Sequence, residues 1–499
     1  MGKLDGTRGV IAALFAVAAL LHLLPVWRVQ FVPTVDGPTH LYNALVLAEG
    51  TPEMARVFFT DWRPHPNWLT HLLLAAGVTV LPPVTAEKVV VSLIVLLFLG
   101  GCWRLAGVVD RDSRIHAFLA MPLAYHLLFQ MGFYNYSLGV ALVPFALASW
   151  WRRRERASWR DVAVTAGWLL LLYFAHVIAA VAAIGCIAVA WIVSIVLRGR
   201  EQWRHGLAFV PVALLLLWFF LQPKPPGGTW SWNGALFFMP LYKTALLLTF
   251  DLRQLAWGSI LAAAFGAMIL LTFAVETIDR QRRRIALRER DVFLLLALLG
   301  VAAYLAAPLS VEEGLVLKAR VLIFPYLLIL PWLTPRAARL PLAIVLTLAV
   351  SANAFFLRDA WKRNDKRIAA AVAPLRTAEP GRTIVPLIFD RSSPHSTLPL
   401  LSHAMSYGAT ERRLVDLGNY EAGLPFFPVQ FRPDVTRPPI ISLETAPGDY
   451  DPNRWAASVD YIYTWKMPPD APLATRLAER YDLSAENGDA RLYARRPSR

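Results

Sequence analysis

The chain has 499 residues, 56% of them hydrophobic and only 17% charged, with 18 tryptophans and a mean hydropathy of +0.45. That composition points to a protein dissolved in lipid and excludes a string of ordinary soluble domains. Cys102 and Cys186 are its two cysteines and both lie in apolar runs, so a disulfide framework and a cysteine-ligated metal site are excluded. The formal net charge of +15 would suit nucleic acid, but the arginines cluster in short loops between apolar runs. Clustering of that kind belongs to membrane topology, and no nucleic-acid partner is implied.

The N-terminal stretch "MGKLDGTRGVIAALFAVAALLHLLPVW" has a basic start and a long apolar run but no small-residue cleavage site, so it reads as a retained first span. Apolar runs long enough for membrane helices follow at Val89–Leu105, Ile115–Phe133, Tyr136–Trp151, Val162–Ala175 and Ile178–Leu197. Others lie at Gly206–Gln222, Leu255–Thr277, Val292–Leu309, Val321–Thr334 and Leu340–Phe356, which with Val10–Trp27 makes about eleven. Under the positive-inside rule "WRLAGVVDRDSR", "WWRRRERASWR", "LRGREQWR", "ETIDRQRRRIALRERD" and "TPRAAR" share the cytoplasmic side with Lys3 and Arg8. The other side receives Gln30–Lys88, a turn at Tyr134, Pro223–Gln254, Ser310–Arg320 and the tail after Arg358. "NWLTHLLLAAGVTVL" (Asn67–Leu81) is apolar too, but a crossing there would invert every later span, so it is expected to lie at the outer interface.

After Arg358 the character changes. "WKRNDKRIAAAVAPLR" reads as a helix, Glu379–Gly381 as a turn and Thr383–Phe389 as a buried strand, with further short runs in "VDYIYTW" and "ARLYARR". The expected architecture is a polytopic α-helical membrane domain over 1–358, with outer-face juxtamembrane helices at about 38–81. An α+β domain over 359–499 follows on the outer, periplasmic side of a bacterial inner membrane. No internal repeat or low-complexity segment is visible.

Candidate functional groups collect in the outer loops. In "VPTVDGPTHLYNAL", Pro38 suits the first position of a helix, so Asp36 is a structural cap, or else a carboxylate placed to take a proton from a hydroxyl nucleophile. His40 stands four residues on. In "SVEEGLVLKAR", Glu312, Glu313, Lys318 and Arg320 share a short outer loop whose cations either snorkel or bind phosphate oxygens. Lys243 and Arg253 are weaker candidates for the same task. Tyr134, Asn135, Tyr136 and His176 lie in outer turns where aromatic belts are usual. Trp230 and Trp232 of "GTWSWNG" are either sugar-stacking rings or membrane anchors. His395 and His403 have no carboxylate at ligand spacing, so no metal is assigned to them. Phosphate-binding glycine loops and nucleophile elbows are absent from the sequence.

The order of these features resembles the GT-C glycosyltransferases, the polytopic enzymes that include protein O-mannosyltransferases and lipid A aminoarabinose transferases. The likeness runs through the first-loop acid and nearby histidine, "PNWLTHLLLAAGVTVLPPVTAEKVVVSLIVLLFLGGCWRLAG", "MGFYNYSLGVALVPFALASWWRRR", "KARVLIFPYLLILPWL" and the ending "YDLSAENGDARLYARR". The resemblance implies a polyprenyl-phosphate-linked sugar donor, a lipid, glycan or protein acceptor, membrane lipids as surroundings, and Asp36 as the catalytic base. With such a donor, the chemistry of Lys318 and Arg320 suits them to neutralise the leaving phosphate. Many members carry two adjacent acids where this chain has Asp36-Gly37, so no cofactor is assigned and a divalent cation stays an open matter. A lipid-linked sugar transporter is disfavoured, because its spans would carry midplane ionisable groups and these spans hold little beyond His22 and His126. A non-catalytic envelope-assembly protein is the remaining alternative.

Overall fold

The computed structural model describes residues 2–198, 203–223, 255–283, 288–308, 317–333 and 339–497. It is mostly helical, with a small sheet domain toward the C-terminus. Five helices among the described residues are long and apolar enough to cross a membrane: Gly6–Trp27, Pro83–Val109, Val177–Val196, Trp203–Leu221 and Arg339–Thr377. The chain divides into two compact units.

The first unit comprises Met1–Leu24, Leu93–Phe129 and Asn135–Leu357. Its helices show apolar side chains outward, among them Val17, Leu214, Leu217, Leu298 and Leu348, as a lipid-facing surface requires. The apolar run Ile115–Phe133 departs from the expected single α-helix. The chain instead winds as a 3₁₀ helix over Arg111–Tyr125 and a short α-helix over Leu127–Gln130. Pro122 lies inside the 3₁₀ stretch and cannot donate to an α-helical ladder. At about 2 Å per residue the tighter winding still rises roughly 30 Å.

Arginine-rich loops of this unit meet through acids rather than standing apart. Arg339 grips Asp112 with two bonds of 2.7 Å, and Arg8 reaches the same carboxylate. Arg290 bonds Asp110 and Glu276, Arg280 bonds Glu276 and Asp291, and Arg154 bonds Glu289. Segments far apart in sequence are thereby joined by three clusters of ion pairs.

The second unit comprises Pro25–Ser92, Gln130–Tyr134 and Arg358–Arg499. Its strands are β1 (Phe58–Thr60), β2 (Thr383–Ile388), β3 (Val415–Asp416), β4 (Val429–Phe431), β5 (Tyr461–Trp465), β6 (Tyr481–Asn487) and β7 (Ala490–Arg495). β1 pairs with β4 antiparallel, and the rest form a mixed sheet in the order β3-β2-β5-β7-β6. β2 runs parallel to β3 and β5, while β7 runs antiparallel to β5 and β6. The stretches read as strands in "TIVPLIF", "VDYIYTW" and "ARLYARR" thus appear as β2, β5 and β7. All five residues of β5 are buried, and the Tyr463 hydroxyl donates to the Ala371 carbonyl. The apolar segment near Asn67 forms a helix over Trp68–Val78. At 1.5 Å per residue it is only roughly 16 Å long, about half a hydrocarbon core.

Within this unit the first-loop helix Gly37–Glu49 is tied to the tail by its own side chains. Ten consecutive residues, Gly37 to Val46, are buried. The Tyr42 hydroxyl donates to the Leu414 carbonyl at 2.8 Å and accepts from the Asp416 amide at 2.9 Å. Tyr42→Phe would leave a buried carbonyl and a buried amide unsatisfied, a cost of about 1–3 kcal/mol. Thermal unfolding of the detergent-solubilised protein should show a lower midpoint; an unchanged midpoint would contradict the bridge.

Candidate functional site

Asp36 occupies the N-cap position of the helix Gly37–Glu49, and its backbone carbonyl accepts from the amides of Thr39 and His40. Its side chain makes no capping hydrogen bond. The carboxylate is nearly buried at 9% exposure and lies 3.6 Å from His403 Nε2, and the Tyr420 hydroxyl, which donates to Glu421 Oε1 at 3.4 Å, is also within reach of it. His403 stacks on the Tyr420 ring at 4.5 Å. Burial pushes the Asp36 carboxyl up to about 7, with His40 pulling against the rise and Glu421 adding to it. Burial holds the His403 imidazole down at about 4, so it is neutral at physiological pH.

His40 belongs to a second cluster on the same helix. Its Nδ1 lies 3.0 Å from Glu421 Oε1 and 3.3 Å from His71 Nε2, and His71 Nε2 lies 3.3 Å from Glu421 Oε2. All three residues are buried. Their ligand atoms lie within 4.8 Å of one another, a grouping a metal ion could occupy. Asn43 donates to Glu421 Oε2 at 2.7 Å and is itself held by Asn419 at 2.6 Å. Burial opposes charge on Glu421, but His40 and the hydrogen bonds from His40 and His71 outweigh it and hold the carboxyl well below its usual range. Burial likewise opposes charge on His40, and Glu421 reverses this and raises its pKa.

A third buried carboxyl, Glu87, is met by the hydroxyls of Tyr134 and Tyr407, each at 2.8 Å. Tyr134 also pairs with Thr34 Oγ1 at 2.9 Å, and Tyr407 reaches the Val32 carbonyl. Asp36, His40 and Tyr134 are therefore gathered in one unit, the His40 and Tyr134 rings 5.7 Å apart. Residues that sequence reasoning missed are His71, Glu87, Tyr407, Tyr420 and Glu421, along with a place for His403 beside Asp36. A signal existed for Glu87, an acid at the head of an apolar run, and for His71, an imidazole on an apolar helix. Nothing in the spacing of the tail points to Tyr420 and Glu421.

The other described candidates lie in the first unit. Arg320 Nη1 is 3.3 Å from His176 Nε2, and the Tyr136 hydroxyl donates to the Arg320 carbonyl. Tyr136 packs edge-on against His176 at 5.3 Å and against His126 at 5.8 Å. Lys318 is buried, with its ammonium 5.1 Å from the Tyr304 ring centre and donating to the Leu305 carbonyl. Glu312, Glu313, Lys243, Arg253, Trp230 and Trp232 lie outside the described residues.

No protein-family model matches the chain, and no curated protein matches it. Solved structures do. ArnT from Cupriavidus metallidurans, bound in its crystal to undecaprenyl phosphate, superposes with a TM-score of 0.54 and 14% identity over 98% of each chain. The arabinofuranosyltransferase AftD from Mycobacteria superposes with a TM-score of 0.51 and 15% identity over 97% of this chain. This chain spans 40% of AftD's length. Both are GT-C glycosyltransferases. The fold is the GT-C fold.

In this chain the residue after Asp36 has no room for a second acid. A Cβ on Gly37 would fall 2.2 Å from Thr34 Oγ1 and 2.4 Å from the Tyr134 hydroxyl. The turn at Gly132 presses on the other side of the same backbone. Asp36 and Val35 donate to the carbonyls of Met131 and Gln130, and Gly132 adopts φ +86°. A Cβ there would sit 2.4 Å from the Gly37 nitrogen and 2.5 Å from that of Asp36. Gly132→Ala thus combines a left-handed backbone strain of about 1–3 kcal/mol with a clash against backbone that cannot swing aside. The variant should melt earlier in detergent than wild type, and an equal melting temperature would refute the close approach.

Proposed function

We propose that the protein is an integral-membrane glycosyltransferase that moves a sugar from a polyprenyl-phosphate donor to an acceptor hydroxyl, with Asp36 as general base. The observation that carries this reading is the Asp36 carboxylate itself: at a helix N-cap it declines the capping bond, sits buried, and is poised near neutral pH. A base of that kind can accept a proton at physiological pH yet bind it firmly enough to drive the transfer. Two further facts support the reading: the fold shared with two glycosyltransferases, and the undecaprenyl phosphate bound in one of them.

In this mechanism Asp36 takes the acceptor's hydroxyl proton as the oxygen attacks the anomeric carbon. The bond from that carbon to the phosphate oxygen breaks, and the polyprenyl phosphate leaves with the electron pair. In-line displacement inverts the anomeric configuration. The Tyr420 hydroxyl orients the Asp36 carboxylate. Lys318 and Arg320 are assigned to the donor phosphate, Arg320 through its planar fork. By the arginine distribution, the N-terminus is cytoplasmic and the tail periplasmic in a bacterial inner membrane, with a domain boundary near residue 358. The acceptor is a lipid, glycan or protein hydroxyl on that outer face.

Asp36→Asn keeps the shape and removes the base, so the protein should insert and fold while transfer falls about 10²–10⁴-fold. The test is mass spectrometry of polyprenyl-phosphate sugars and envelope glycans in wild-type, deletion and Asp36→Asn strains. The mutant should match the deletion, with one lipid-linked sugar accumulating and one decoration missing; a mutant matching wild type overturns the assignment. The pH dependence has a definite sign. Asp36 works only when ionised and its carboxyl is raised to about 7. Thus kcat/KM should fall about tenfold per pH unit below that value and level off above it. A profile flat from pH 5 to pH 8, a window chosen to bracket that pKa by about one to two units, would exclude Asp36 as the base.

A further inference from the structure

We propose that His40, His71 and Glu421 form a binding site for a divalent transition-metal ion of the zinc class. The proposal concerns metal binding and stands whether or not the transfer reading does.

Geometry is the first argument. His40 Nδ1 lies 3.0 Å from Glu421 Oε1 and 3.3 Å from His71 Nε2, and His71 Nε2 lies 3.3 Å from the other carboxylate oxygen, Glu421 Oε2. A tetrahedral zinc centre with bonds of about 2.0–2.1 Å has ligand-to-ligand edges of roughly 3.3 Å, close to each of these separations, and one ligand atom from each residue lies within 4.8 Å of the others. The second argument is the tautomer. His71 Nδ1 lies 2.9 Å from the Asn67 carbonyl and donates its hydrogen there. Between His71 Nε2 and Glu421 Oε2, 3.3 Å apart, a positive charge then has to stand, either the proton of a charged imidazole or, with His71 neutral and its lone pair turned to the carboxylate, a metal cation. Donation of the distal imidazole hydrogen to a backbone carbonyl is how metal-bound histidines are oriented.

Further support surrounds the ligands. Asn43 anchors Glu421 and Asn419 anchors Asn43, so the carboxylate has little freedom to turn away. Phe427 packs against both imidazoles, at 6.1 Å from His40 and 5.8 Å from His71. Two imidazoles and one carboxylate select a borderline transition metal over magnesium or calcium, which prefer oxygen shells. The ligands come from three separate stretches: the first-loop helix, the helix Trp68–Val78 and the turn Glu421–Gly423. A metal at their meeting point would pin His40, and with it the helix start that carries Asp36. That makes the metal a positioning group.

The test is the metal content of the full-length protein purified in detergent. After chelator treatment, desalting and titration with zinc chloride, elemental analysis should give one zinc per chain. Cobalt substitution should give the intense visible bands of a tetrahedral centre. His71→Ala and Glu421→Gln should lose the stoichiometric zinc, while Asn43→Ala, which keeps all three ligands, should weaken it about 10–100-fold. Chelator should lower the melting temperature of wild type and leave that of His71→Ala unchanged. A wild-type protein that binds no zinc, its triad holding a shared proton alone, overturns the proposal. So does zinc at full stoichiometry that survives in both ligand variants.

Discussion

Burying a carboxylate is costly unless other groups take over the role of water, and the second unit buries several. Each is handled by a different device. Glu87 is met by two tyrosine hydroxyls, Asp416 by the Ser406 hydroxyl and the Gly418 amide, Glu421 by two imidazoles and an asparagine. Asp36 has the sparest provision, one tyrosine hydroxyl and a neutral histidine at a distance too long for a hydrogen bond. The arrangement of the first loop around the tail follows from satisfying these groups.

The same provision separates the acids chemically. Glu421, surrounded by donors, stays ionised and becomes a ligand or an ion-pair partner. Asp36, nearly as buried but with fewer donors, is raised toward neutrality. Two carboxyls near one histidine are thus shifted in opposite directions by their surroundings. The glycines flanking Asp36 belong to the same economy of space. Gly37 makes room for the Thr34–Tyr134 hydroxyl pair, and Gly132 lets a turn satisfy the Val35 and Asp36 amides.

The membrane unit answers a different constraint. Its helices can show leucine and valine outward because lipid tails are as apolar as they are. Its arginines, which would be costly beside hydrocarbon, are drawn into carboxylate pairs contributed by separate loops. The positive charge that marks topology in the sequence is therefore also a fastening between helix ends.

The sequence by itself determined the membrane character, the apolar runs, the sheet-bearing tail and the exceptional place of Asp36. Those features are written in hydropathy, charge asymmetry and local turn chemistry, which act over a few neighbouring residues. Tertiary structure alone decided that Asp36 does not cap its helix, that Gly37 excludes a second acid, and that His403, Tyr420 and Glu421 meet residues more than 360 positions earlier. It also decided that the run after Arg111 winds as a 3₁₀ helix. Such outcomes depend on which side chains come together when distant segments close on each other, and no local pattern encodes that meeting.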